Sequence, residues 1–533
     1  MSPSPDPSRP WAQRRGVDWA LALLSGLLLA ASRPPFDAGW LALVGLVPLL
    51  LAIRGARPRR AAMLGLVAGA VYYAIVVYWV WYFGAVAIVP LVLVLAAYWA
   101  AVCAIVAVLA GRRLAHPAIT AAVWVCGEGL LARWPLGGFS WGELGYAMHN
   151  IAPMRSIAAI GGLPLVSCVV VLVNAMLAEV VVGAVTGRAG GHSLKRVVAP
   201  AAGLLAVLVG VSAWFVAWPR MPATGQLHVA LVQGNNLDRY LTSAELQGRL
   251  LPAQHFALAD KLTGHYDLVV FPESSMDNSP IGDPYLESHI RAIAAKLHTY
   301  VLANGPEALP DGRDSNLDVL YAPGGKVVGT YSKRHLVPFG EYVPLESILR
   351  PMIGSLNQIP VDFKPGTKPG LMTAAGHKIA TVICFESAFG YQVRPLVHDG
   401  AQLIVLSTNN RSYRRSANSE QHVAISQIRA AETGRTVLHS AVSGETAVVN
   451  DRGTLLTHTS LFHNTTVSAE VTTRRGETLY VRFGEWVLEL CVLALVALVS
   501  VALWRRRRDR AAADRADTPA VDLAPEELTT SVG

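Results

Sequence analysis

The sequence predicts an α-helical membrane bundle of about eight spans that carries one α/β domain on its exoplasmic side. Three observations predict it. Hydrophobic residues make up 52% of the 533 and charged residues only 15%, a balance too apolar for a soluble chain of this size. The apolar excess is confined to the first 218 residues and to 485–504. Between them, over 219–484, β-branched runs alternate with amphipathic stretches, the pattern of mixed strands and helices.

The apolar runs predict spans at about 17–33, 38–54, 61–83, 87–110, 116–132, 163–185, 199–218 and 485–504; the second and fifth are short for a bilayer core. Basic residues occupy every second connection. Arg9, Arg14 and Arg15 precede the first span, and Arg54, Arg57, Arg59 and Arg60 follow the second. Arg112 and Arg113 follow the fourth, Arg188, Lys195 and Arg196 the sixth, and Arg505 to Arg508 the last, whereas the third-to-fourth connection has no Lys or Arg. The positive-inside rule then puts both termini in the cytoplasm and the insert outside. The expected organisation is a cytoplasmic tail (1–16), a membrane domain of about seven spans (17–218), an exoplasmic domain (219–484), a last span (485–504) and a cytoplasmic, disordered tail (505–533). A cleaved signal peptide ending near Ala30-Ala-Ser32 is the rival for the first span, and it would leave the insert on the same side. The net charge of +8 resides mostly in these anchors, so it implies no nucleic-acid partner.

Within the insert, strands are expected at Leu227–Gln233, Tyr266–Phe271, Thr299–Ala303, around 317–322 and 326–331 across the turn Pro323-Gly-Gly325, and at Ile379–Ile383 and Leu403–Ser407. Further strands are expected around 437–441 and 445–450, with a hairpin near Asp451-Arg-Gly453. Helices are expected over 243–263, 284–297 and 418–434. There is no phosphate loop, no HExxH and no Cys/His pair of zinc spacing in the insert, so neither cofactor nor metal is expected.

Cys384 ends the β-branched run Ile379–Ile383, where a turn lifts a side chain out of the core. Of the five cysteines, Cys103, Cys126, Cys168 and Cys491 fall in spans, so Cys384 is alone in the exoplasmic domain and has no disulfide partner there. Glu273 follows another apolar strand and Pro272. Lys333 lies between a strand and a Gly/Pro-punctuated loop that contains Glu341. A thiol needs a base, which a partly desolvated carboxylate supplies, and a tetrahedral intermediate needs the positive charge of an ammonium. His335 or His422 could serve as the base instead, in a Cys–His arrangement.

Pro272-Glu273, the Lys333 segment and Ile383-Cys384-Phe-Glu386 resemble the Glu–Lys–Cys set of the nitrilase, or carbon-nitrogen hydrolase, superfamily. With its spans and insert, the chain over roughly 15–505 resembles the membrane-embedded apolipoprotein N-acyltransferase family. The stretch His335-Leu-Val-Pro-Phe-Gly-Glu341-Tyr-Val-Pro344 carries the most specific match, joined by Val232-Gln233-Gly-Asn235 and Arg429-Ala-Ala-Glu432-Thr-Gly-Arg435. The resemblance implies an αββα sandwich docked on a bacterial inner-membrane bundle. It also implies Glu273 as general base, Lys333 as oxyanion stabiliser, Cys384 as acyl-carrying nucleophile, and Glu341, Glu386 and Phe385 as supporting pocket residues. The implied partners are a phospholipid acyl donor and a diacylglyceryl-modified apolipoprotein acceptor, bound by a monomer. Three departures stand out: Asn410-Arg411-Ser412-Tyr413, then Arg414-Arg415, where the family has an Asp-Ala-Trp-Phe type of segment; no Trp after the first strand, with Tyr240 the nearest aromatic; and Phe385 where Tyr is common.

Trp79, Trp81 and Tyr82 end the third span, and Phe139 and Trp141 lie in the next outer connection. They fit either an interfacial belt or the wall of a lipid cleft beneath the exoplasmic domain. A membrane-tethered amidase is the rival enzyme. A transporter is weakly supported, since the spans hold few charges, Glu128 the clearest.

Overall fold

The computed structural model describes residues 16–110, 117–187, 194–235, 249–352 and 361–516. Arg9, Arg14, Arg15, Arg112, Arg113, Arg188, Tyr240 and residues 517–533 lie outside the described residues.

The apolar first part folds as α1 (Val17–Ala31), α2 (Val47–Ile53), α3 (Pro58–Val76), α4 (Ala85–Ala110), α5 (Pro117–Leu131), α6 (Ala152–Ser156), α7 (Ala158–Gly187) and α8 (Leu194–Ala217). Segments within α3, α4, α7 and α8 are long and apolar enough to cross a membrane, as is Trp486–Asp509 near the C-terminus. Val17–Ala31, Gly39–Ile53 and Pro117–Leu131 are apolar but shorter. The second expected span is not one helix. A 3-10 turn over Gly39–Leu43 precedes α2, and Asn174 of α7 accepts from the freed N–H groups of Leu46 and Val47 at 2.9 and 3.2 Å. The third expected span leaves the α-helix at Val76 and continues as a 3-10 turn, Tyr78–Phe83, which carries its aromatic cluster.

The insert contains β1 (Ala223–Gln233), α9 (Leu250–Ala259), β2 (Leu268–Val270), α10 (Pro284–Leu297), β3 (Tyr300–Ala308), β4 (Asp314–Tyr321), β5 (Val327–Ser332) and α11 (Glu346–Met352). It continues with β6 (Leu371–Ala374), β7 (His377–Ile383), α12 (Gly390–His398), β8 (Leu403–Thr408), α13 (Asn418–Thr433), β9 (Val437–Ala441), β10 (Ala447–Val449), β11 (Leu455–His458), β12 (Thr465–Arg474) and α14 (Leu479–Phe483); α15 (Trp486–Ala516) follows. Two six-stranded sheets form, in the orders β12-β1-β2-β3-β4-β5 and β11-β10-β9-β8-β7-β6. Leu227, Val229, Val270 and Leu302 of the first sheet meet Ile379, Ile383, Val405 and Leu438 of the second in one core between them. Outside the first sheet, Phe256 of α9 and Leu286, Ile290 and Ile293 of α10 cover Ala230, Val269 and Val301. Outside the second, Val393 and Leu396 of α12 and Ala430 of α13 cover Ala380, Val382 and Ile404. The result is an αββα sandwich.

Local chemistry explains where the predicted elements stop. Asp283 caps α10 by accepting from the N–H groups of Tyr285 and Leu286, with Pro284 at the first position, so the helix begins as expected. The helix expected over 243–263 is described only as α9, its first part lying outside the described residues. The sequence reading missed β6, β12, α11, α12 and α14. β12 pairs antiparallel along β1, from Gln226 opposite Thr472 to Gln233 opposite Thr465. Its face of Thr466, Ser468, Glu470 and Thr472 stays partly in solvent, so its apolar alternation is weak.

The α/β layer is locked to the apolar bundle through α13, a polar helix buried on nearly every residue. Gln421 of α13 has all four hydrogen-bonding positions used. Its Oε1 accepts from the indoles of Trp79 (3.1 Å) and Trp141 (2.8 Å), and its Nε2 donates to the carbonyls of Pro34 and Val76, each at 3.0 Å. Gln427 pairs with His149 at 2.7 Å. Glu432 accepts at 2.6 Å from the N–H of Leu163, just past a break in α7 at Gly161–Gly162. Gly162 has φ +67°, and a Cβ there would meet the Tyr480 ring at 2.5 Å, so the break requires glycine.

Candidate active site

Cys384 stands immediately after β7 and opens a 3-10 turn to Ala388. Its φ of 52° is left-handed, a strained conformation for a non-glycine residue that aims the thiol away from the sheet. Glu386 secures this turn. Its Oε2 accepts from the Ile383 N–H at 2.8 Å, and its Oε1 from the N–H groups of Arg334 (2.8 Å) and His335 (3.0 Å). The Tyr331 hydroxyl lies 2.8 Å from both oxygens. Glu386 thereby ties the Cys384 turn to the loop bearing Lys333. Burial pushes its carboxyl up, and these donors oppose the rise.

Glu273 follows β2 and Lys333 follows β5, so both side chains project from strand ends of the first sheet toward Cys384 of the second. Glu273 Oε1 accepts from Lys333 Nζ at 3.1 Å and from Asn316 Nδ2 at 2.8 Å. Glu341 Oε1 lies 2.8 Å from the same Nζ, while its Oε2 accepts from the Val337 N–H. Among the described residues, Oε2 of Glu273 has no protein hydrogen bond, while Oε1 accepts both of those named. Burial works against the Lys333 ammonium, but Glu273 and Glu341 outweigh it and hold Lys333 well above the ordinary lysine range. Burial pushes the Cys384 thiol up to about 12, and the Glu273 charge adds to the rise. Lys333, the Thr408 hydroxyl and the Asn409 N–H pull it back. The thiol therefore rests protonated.

A polar floor that sequence reasoning missed supports the carboxylate. Asn304 Nδ2 donates to Asn316 Oδ1 and to Asp318 Oδ1, each at 2.9 Å, and Thr381 of β7 donates to Asp318 Oδ2 at 2.5 Å. The signal was Asn316 and Asp318 at alternate positions of an apolar strand, which puts both on one face.

The supporting and lipid-facing candidates divide. The Phe385 ring lies 6.2 Å from Trp141, 6.0 Å from Phe139 and 5.0 Å from Phe389. Trp79 and Trp141 are buried against Gln421, 5.6 Å from each other. Phe139 is half-buried. Trp81 and Tyr82 are exposed, at 62% and 44%. The five thus do not share one open surface: three form an inner aromatic wall beside Phe385, and two form an outer rim. Neither histidine reaches the thiol by a hydrogen bond. His422 Nε2 contacts the Ser387 hydroxyl and the Cys384 carbonyl, and burial lowers it to about 3. His335 packs between Phe385 and Phe389, and burial lowers it to about 4. Among the described residues no group of three or more His, Cys, Asp or Glu could hold a metal ion.

Residues 228–479 match the carbon-nitrogen hydrolase family model, which defines the class of the sandwich. Residues 25–176 match the model of the apolipoprotein N-acyltransferase N-terminal domain. The apolipoprotein N-acyltransferase of Geobacter metallireducens is 30% identical over 517 residues, covering 92% of this chain and 96% of that protein. Those of Azotobacter vinelandii and Chromobacterium violaceum are 32% and 30% identical, each covering 94% of this chain and 98% of its own length. The chain belongs to the apolipoprotein N-acyltransferase family.

Proposed function

We propose that this protein N-acylates lipoproteins in a bacterial inner membrane, through a thioester on Cys384 and a two-step exchange. In the first step Glu273 takes the thiol proton and the thiolate attacks an acyl ester of a phospholipid. Negative charge develops on the carbonyl oxygen, near Lys333 and the Asn409 N–H. The C–O bond then breaks, and Glu273 returns the proton to the departing lysophospholipid alkoxide. In the second step the neutral α-amino group of a diacylglyceryl-cysteine attacks the thioester. Glu273 takes the nitrogen proton, the C–S bond breaks, and the proton returns to sulfur. The observation that carries this reading is the thiol in a left-handed turn beside a buried Glu273–Lys333–Glu341 network, with its flanking aromatic wall built from the apolar bundle.

Both substrates carry acyl chains, and drawing a chain into water costs about 0.8 kcal/mol per CH₂, which favours a membrane-bound enzyme. The reading includes eight spans, both termini in the cytoplasm, the α/β domain on the exoplasmic side and a monomeric enzyme; the alternating basic connections support this topology. Intact mass after incubation with phospholipid alone tests the chemistry. One added acyl group, removed by hydroxylamine and discharged by a diacylglyceryl-cysteine peptide, is expected. An unmodified Cys384 with every phospholipid would overturn the mechanism.

A further inference from the structure

The turn that Cys384 opens ends at Ala388, and the Ala388 carbonyl is held from the apolar bundle. It accepts from the Ser140 hydroxyl at 2.9 Å and from the Tyr146 hydroxyl at 2.8 Å. Both donors are buried and lie in the connection between α5 and α6. The backbone of that connection is itself fixed. Arg33 Nη2 donates to the Trp141 carbonyl at 3.0 Å, and the Tyr72 hydroxyl to the Gly142 carbonyl at 2.9 Å. Each hydroxyl has one proton to give. Tyr146 gives its proton to Ala388, and its oxygen accepts from Arg429 Nη2 at 3.2 Å. Ser140 faces two acceptors, the Ala388 carbonyl and, at 2.5 Å, Glu143 Oε1. With Glu143 ionised, one of these two contacts is oxygen against oxygen with no proton between them. With Glu143 protonated, the acid donates to Ser140 and Ser140 donates to Ala388, so both contacts become hydrogen bonds. A second observation agrees. Glu143 Oε2 is buried without a hydrogen-bond partner among the described residues, which suits a neutral carboxyl and penalises a carboxylate. Burial pushes the Glu143 carboxyl up to about 8, and Glu128 of α5 adds to the rise; Ser140, the N–H of Glu143 and Arg429 oppose it. Arg429 is engaged by Glu432 at 2.8 Å, and Arg133, just past α5, by Glu485. Tyr72 and Tyr73 of α3, Tyr146, and Tyr391 of α12 face Glu143 with hydroxyls.

We propose that Glu143 works as a neutral acid and, acting through Ser140, is a positioning residue that holds the far end of the Cys384 turn for acyl transfer. An ionised Glu143 takes the Ser140 proton for itself, strips the Ala388 carbonyl of one of its two donors and loosens the turn that aims the thiol. The inference rests on the acyl-enzyme reading above.

The test uses the full-length protein in neutral detergent and follows single-turnover thioester formation from phosphatidylethanolamine by intact mass, between about pH 6 and about pH 9.5. Wild type and variants are compared at each pH, so titration of the lipid cancels. Glu143→Gln, whose amide N–H donates to Ser140 at every pH, should acylate within about twofold of wild type near pH 7. The ratio of the wild-type rate to the Glu143→Gln rate should halve near pH 8 and fall to about one-tenth near pH 9, as one acid with a midpoint of about 8 loses its proton. Ser140→Ala should slow acylation by about tenfold at every pH, the loss of one buried hydrogen bond. Adding Glu143→Gln to Ser140→Ala should then leave the pH profile unchanged. Melting temperatures in the same detergent establish that each variant is folded. Parallel pH profiles for wild type and Glu143→Gln would overturn the role, as would a loss in Glu143→Gln near pH 7 that recovers at no pH, which would assign Glu143 to an ionised contact. So would a pH-dependent difference that survives undiminished in the Ser140→Ala background. Absence of thioester in the wild type at every pH would overturn the acyl-enzyme reading, and this role with it.

Discussion

Lys333→Met removes the ammonium shared by two carboxylates, buried Glu273 and half-buried Glu341. Lys333 is 1% exposed, with its Nζ 3.1 Å from Glu273 and 2.8 Å from Glu341. At an effective dielectric of about 20, each contact near 3 Å is worth of order 5 kcal/mol before desolvation is charged against it. Breaking such a buried arrangement from one side typically costs about 3–5 kcal/mol, because the remaining charge is uncompensated. Here two remain, and among the described residues Asn316 Nδ2 alone bridges them, at 2.8 and 3.3 Å. Like charges so placed cannot both stay ionised, so one carboxyl takes up a proton. If that carboxyl is Glu273, the base is lost together with the cation. The expected result is a fall in acylation of at least about 10²–10³-fold, the usual loss for an oxyanion donor, together with a lower melting temperature. Lys333→Met/Glu341→Gln should regain most of the stability by removing one stranded charge, and none of the activity. Scanning fluorimetry in detergent and single-turnover intact mass read the two effects separately. Acylation by Lys333→Met within tenfold of wild type, or rescue of activity by the double change, would refute the reasoning.

Four further outcomes follow from the same geometry. Cys384→Ser and Cys384→Ala should both abolish turnover in a folded protein, while Ala at Cys103, Cys126, Cys168 or Cys491 should leave acylation near normal. Glu273→Gln should slow thioester formation by about 10²–10⁴-fold, since an amide cannot take the thiol proton; wild-type acylation rates would move the base elsewhere. Gln421→Leu strands the indole N–H groups of Trp79 and Trp141 in a buried seam, at about 1–3 kcal/mol each, and should raise KM for long-chain donors more than it lowers kcat. Burial holds the Asp318 carboxyl up at about 7, against 3.8 ordinarily, so the folded chain keeps a proton that the unfolded chain releases. Its contribution to stability is full below about pH 4 and declines as pH rises toward about 7, by an upper limit of about 4 kcal/mol. Asp318→Asn should therefore gain in melting temperature relative to wild type between about pH 5 and pH 8; an unchanged difference would show that Asp318 is ionised throughout.

Much of the candidate site was legible because its residues sit at ends of strongly patterned elements. The run Ile379–Ile383 can only be a buried strand, so the next residue, Cys384, must leave the sheet, and the same logic applied to Glu273 after β2 and to Lys333 after β5. Composition likewise separated the apolar bundle from the sandwich, because burying so many aliphatic side chains requires either a core or a bilayer. The span count was less legible, since residues 39–53 are apolar throughout yet break into a 3-10 turn and a short helix around the side chain of Asn174.

What the sequence determined by itself was therefore the class of the strongly patterned elements and the residues that meet at the candidate site, since strand and helix periods are local properties of the chain. What only the tertiary structure decided was which polar side chains serve which partners. Helix α13 is polar in sequence, but it is buried because Gln421, Gln427 and Glu432 each find a partner from the apolar bundle. Trp79 and Trp141 fit either an interfacial belt or a cleft wall by sequence, and in the fold both indoles turn inward to one glutamine amide. A buried polar group is tolerated only when its hydrogen bonds are made, and those partners lie hundreds of residues away along the chain, where no local pattern can register them.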